Sequence, residues 1–180
     1  MQQTTQRPDD GFLATVLQRY GEIIVIRCRT RERRLELTFL ADGPVGAGQG
    51  ARLRGLLDEA LATLAWLTGR PYGWVRLRRV GFEGYTELTV QRDLDTLSAQ
   101  EIGVIVGLMR HVLGPRLLSE EAPGDAGGPE ALDRVTELQE AGALAGLLQR
   151  LKRRRGADTL VGLRRSGQGL VYYKVPRAQA

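Results

Sequence analysis

Residues 22–40 read EIIVIRCRTRERRLELTFL, and the alternation inside this stretch decides the fold class. Ile24, Ile26 and Cys28 fall on one parity, while Ile23, Val25, Arg27 and Arg29 fall on the other. After the polar Thr30–Glu32, Leu35, Leu37 and Phe39 alternate with Arg34, Glu36 and Thr38. Successive strand side chains point to opposite faces, so the pattern predicts an antiparallel hairpin of 22–29 with 33–40. One face is apolar and built to meet helices; the other carries arginines.

The neighbouring segments extend this reading. Residues 74–80 and 85–91 repeat the hairpin pattern across a turn at Gly81–Gly84, with Val75 and Leu77 inward and Trp74, Arg76 and Arg78 outward. Leucines near a helical period predict a helix over about 51–68, stopped by Gly69 and Pro71. Ser98 and Glu101 form an S-x-x-E capping box, and Leu97 is placed to staple onto Ile102. The helix they open is apolar on nearly every side (Ile102, Val104, Ile105, Val106, Leu108, Met109, Val112, Leu113), which suits either a central helix or the seam of a homodimer. A short stretch at 11–20 has helical spacing.

The resulting class is α+β: a two-layer sandwich of antiparallel hairpins packed against helices in ββα-ββα order. Residues 1–10 read as a disordered lead-in, 11–119 as the main domain and 120–129 (EEAPGDAGGP) as a flexible linker. Residues 130–180 read as a helical and hairpin appendage. It holds one long helix, or two broken near Gly142, and a hairpin of 159–164 with 170–175.

Scarcity of residue types restricts the chemistry. The 180 residues contain one histidine, His111, and one cysteine, Cys28, too few for a Cys/His zinc site or an internal disulfide. The serines near structural boundaries, Ser98, Ser119 and Ser166, are not in a G-x-S-x-G elbow. No catalytic residue, metal site or cofactor is therefore assigned, and the chain reads as more a binder than an enzyme. Lys and Arg number 26 against 21 Asp and Glu, a net charge of +5. That excess is mild. With no signal-peptide core and no apolar run near the roughly 20 residues a bilayer requires, a cytoplasmic protein with no membrane contact is expected.

Two constellations are candidates for binding. Gly46, Gly48 and Gly50, with Arg52 behind them, follow a strand and open a helix, where backbone N–H groups can hold a phosphate. The spacing is G-x-G-x-G. It resembles the pyrophosphate loop of acetyl-CoA-dependent N-acetyltransferases, but Gly43 and Val45 stand where that motif needs Gln or Arg. The second constellation is the outer sheet face with Arg27, Arg29, Arg34, Trp74, Arg76 and Arg78. It suits an acidic protein surface first, and a nucleic-acid backbone as the alternative. A protein partner or self-association is the leading expectation.

Overall fold

The computed structural model describes residues 11–120, 130–156, 158–165 and 169–175. The expected lead-in and residues 121–129 of the expected linker lie outside the described residues. Elements follow in the order α1 (Gly11–Arg19), β1 (Val25–Arg29), β2 (Arg34–Asp42), α2 (Ala47–Leu67), β3 (Val75–Phe82), β4 (Tyr85–Asp93), α3 (Ala99–Leu113), α4 (Glu130–Arg153), β5 (Thr159–Arg165) and β6 (Gly169–Val175). The six strands form one antiparallel sheet in the order β3-β4-β2-β1-β5-β6. Helices cover one face: α2 lies over β3, then come α3, α4 and finally α1 against β1 and β5. The protein is an α+β sandwich of two layers, as the alternation in 22–40 requires.

Rows of the core follow the register. Cys28 pairs with Leu35 and Ile26 with Leu37; Leu37 faces Val90 and Phe39 faces Leu88 on β4. All are buried against Leu53, Leu57 and Leu61 of α2 and Ile102, Ile105, Val106 and Met109 of α3. The apolar helix α3 is thus the centre of the helix layer, between α2 and α4. Leu108 and Val112 pack as half-buried side chains on the same core.

One parity differs from the sequence reading. Ile23 is fully buried and Ile24 only half-buried. The Ile24 N–H donates to Thr38 O at 2.9 Å, and Thr38 is already the partner of Val25. Two residues of one strand therefore oppose one of its neighbour, a bulge that reverses the alternation ahead of β1. Alternation alone does not reveal such an inserted residue.

The C-terminal helix and hairpin form, and they are built into the sheet and the core. β5 pairs along all of β1, from Val25 opposite Leu163 to Arg29 opposite Thr159. Leu144, Leu148 and Leu151 of α4 and Leu160 of β5 are buried in the common core. α4 runs unbroken through Gly142. A polar clasp closes this half. Arg33, at the β1–β2 turn with φ of 49°, donates to Lys152 O (2.8 Å) at the end of α4 and to Asp95 Oδ1 (Nε, 3.0 Å). Lys152 Nζ donates to Leu97 O at 2.6 Å, and Thr30 Oγ1 to Asp158 O at 2.7 Å. A cation from a distant turn thus meets the last carbonyls of α4, whose own last turn also carries Arg150, Lys152 and Arg153.

Cys28 occupies the inner face with no exposed surface, and burial pushes its thiol up to about 12 from the ordinary 9.0. The neutral thiol is the form the fold retains. Its contribution to stability is therefore whole below pH 9 and is lost as the pH rises toward 12. Iodoacetamide should label Cys28 at neutral pH only as fast as the protein globally unfolds, which mass spectrometry across a urea series would measure. Rapid labelling in native buffer would contradict a sealed core.

Candidate partner-binding face

Among the described residues every helix lies on one side, and the other sheet face carries the arginines named from sequence. Register sets them in rows. Arg27, Glu36, Gln91 and Arg76 form one row across β1, β2, β4 and β3, and Val25, Thr38, Thr89 and Arg78 form the next. Strands are about 4.8 Å apart, so Arg27 and Arg76 stand about 14 Å apart at the backbone.

At the β1–β2 end, three guanidiniums gather on one carboxylate. Arg27 Nη1 reaches Glu36 Oε2 at 3.1 Å, while Arg34 Nε and Arg29 Nε lie 3.0 and 3.3 Å from Oε1. The two Nε atoms are at ion-pair distance without hydrogen-bond alignment. Gln91 Nε2 also donates to Glu36 (3.2 Å), and Glu32 approaches Arg29 and Arg34. Glu36 is only 3% exposed. Three cations share two carboxylates here, so this end keeps a positive excess while its central charge is sealed from water. Glu36 stands on the arginine-bearing face, as its parity with Arg34 and Thr38 implies.

The β3 end is more open. Arg78 is 58% exposed and pairs with Glu87 at 3.1 Å. Arg76 lies over the half-buried Trp74 ring, 4.8 Å from its centroid, a cation–π contact that occupies that part of the ring. Along the same face toward the β3–β4 turn, charge gives way to apolar surface. Val80, Phe82 and Tyr85 are each more than two-fifths exposed, and the last two rings stand 6.2 Å apart. Exposed apolar side chains in one cluster are the informative kind of surface. Sequence alternation marked the arginines but not this cluster, which the 82–85 pairing assembles around a two-residue turn. Glu83 and Gly84 both have positive φ there (41° and 85°), so the turn extends the hairpin two residues beyond its expected limit.

The second constellation is placed differently from its sequence reading. α2 begins at Ala47, four residues earlier than expected, so Gly48 and Gly50 are helical and Gly46 is the N-cap. The Gly50 N–H is spent on Gly46 O (3.0 Å). Arg52 is exposed on the helix surface, and Arg79 lays its stem along Gly50 and donates to Val45 O. Beside it, a groove of about 550 Å³ runs between Pro44–Val45 and the Gly81–Thr86 turn.

A buried charge network supports the β3–β4 end from beneath. Arg92 sits on the inner parity of β4, in register with Leu35 and Val75, and is 1% exposed. Its guanidinium bonds Glu101 Oε2 (2.8 Å), Thr96 Oγ1 (3.2 Å), Asp93 and the Trp74 carbonyl. Glu101 is also the capping-box residue, accepting from the Ser98 N–H at 3.1 Å. Burial alone raises the Asp93 carboxyl, but Thr96, the Trp74 N–H and Arg92 outweigh it and hold it below the ordinary range. Sequence reading saw Glu101 as a cap; the clue to its second role was an arginine at an apolar parity.

His111 is exposed on α3, and among the described residues no group of three or more His, Cys, Asp or Glu side chains gathers as metal ligands would. Nor, among them, is any helix long and apolar enough to cross a membrane. Set against known proteins, no family model, curated protein or solved structure matches this chain.

Proposed function

We propose that this protein is a non-enzymatic binding or adaptor protein that engages an acidic protein partner through the uncovered sheet face. The observation that carries the reading is the polarity along that face: arginines on β1, β2 and β3 pass into the exposed Val80, Phe82 and Tyr85. Such an arrangement pairs electrostatic steering with an apolar anchor, the usual division between encounter and affinity at protein interfaces. The partial cover that Arg76 gives Trp74 favours a protein partner over base stacking.

A glutamate-rich peptide containing phenylalanine is the probe, with a single-stranded oligonucleotide as comparator. The peptide should bind in low salt and weaken as salt rises. Arg76→Glu with Arg78→Glu should weaken it by about tenfold, equivalent to about 1.4 kcal/mol. Arg150→Glu with Arg153→Glu on α4 should leave it unchanged. Tighter binding of the oligonucleotide would reverse the order of the two readings, and binding of neither would remove both.

A further inference from the structure

We infer that the free edge of β3 is a docking edge for an extended acidic segment of a partner, which would add a seventh strand to the sheet. β3 ends the strand order, and among the described residues no strand lies beyond it. The two-residue turn makes Phe82 and Tyr85 a hydrogen-bonded pair, so bonding to β4 falls on Val80, Arg78 and Arg76 in turn. The N–H and C=O groups of Val75, Leu77, Arg79 and Gly81 therefore point away from β4, toward the open edge.

The side chains beside that edge define the occupant. Arg76 and Arg78 stand on the outer face; Val75 and Leu77 are half-buried on the inner face. An added strand alternating acidic and apolar residues would place carboxylates beside the arginines and apolar groups over the margin of the core. Its end would reach the groove beside Gly81 and Phe82. A second copy of this chain is the wrong occupant in the registers that overlap most of β3. Two antiparallel β3 strands centred on Leu77 set Arg76 opposite Arg78; centred on Arg78 or Arg79, they set that arginine opposite itself. Like charges directly opposite are destabilising, so the same arginines that invite an acidic strand repel a copy.

The inference deepens the sheet-face reading and rests on it for the sign of the partner's charge. The test uses the full chain and a capped eight-residue peptide alternating valine and glutamate. It is compared with the same peptide N-methylated at alternate residues along one edge, in both phases. The unmodified peptide should bind and slow amide exchange at Val75, Leu77 and Arg79 by about tenfold or more, and N-methylation of the edge-facing amides should abolish this. If both N-methylated forms bind as well as the parent and the β3 amides exchange as before, edge pairing is overturned while the sheet-face reading stands. If none of the peptides binds, and the phenylalanine-containing peptide also fails, both are overturned.

Discussion

Glu101→Ala is expected to cost about 3 kcal/mol of stability, near the lower end of the range for breaking a buried ion pair. Its two partners are Arg92 and Ser98, and the alanine leaves a 1%-exposed guanidinium facing a void on one side. The remaining bonds of Arg92 to Asp93, Thr96 and Trp74 O keep the loss from being larger. Glu101→Gln separates the two roles, because glutamine also serves at this position of a capping box but carries no charge. It should fall between the wild type and the alanine variant. Urea denaturation with an unchanged slope is the check. An alanine variant within about 1 kcal/mol of wild type would mean that the pair is not sealed from water in solution.

Leu148→Ala should cost a similar amount, about 2–5 kcal/mol, the range for a leucine cut back to alanine in a packed core. Leu148 is 1% exposed on α4, within the cluster that also contains Ile26, Cys28 and Phe12. The form of the transition is as informative as its position. Because β5 continues the sheet at β1, the whole chain should unfold in one cooperative step that shifts as a unit. Two transitions, with only one shifted by the substitution, would show that the C-terminal half folds apart from the rest.

These effects mark where sequence was informative. Two-residue periodicity in 22–40 and 74–91 specified the strands, the arginine parity and, from β1 onward, the inner rows, because a half-buried strand has to alternate. Ser98 and Glu101 located the start of α3 for an equally local reason. The pairing of β5 with β1 depends on contacts more than 120 residues apart in the chain, which local patterning does not encode. The glycines at 46–50 read as a loop because glycine is a poor helix former; packing of Leu53, Leu57 and Leu61 carries the helix through two of them. At the candidate face, the arginines were legible from parity. Their gathering on Glu36, and the exposure of Phe82 and Tyr85, required the register.

The reading of the uncovered sheet face as the working surface is tested most directly by mapping the glutamate-rich, phenylalanine-containing peptide onto the protein by NMR. Amide and methyl shifts should concentrate on β3, β4 and the outer rows of β2, with Val80 and the Phe82 and Tyr85 rings among the most perturbed. Shifts centred instead on the helix layer, around Arg52 and Arg54 of α2 or Arg150 and Arg153 of α4, would contradict it.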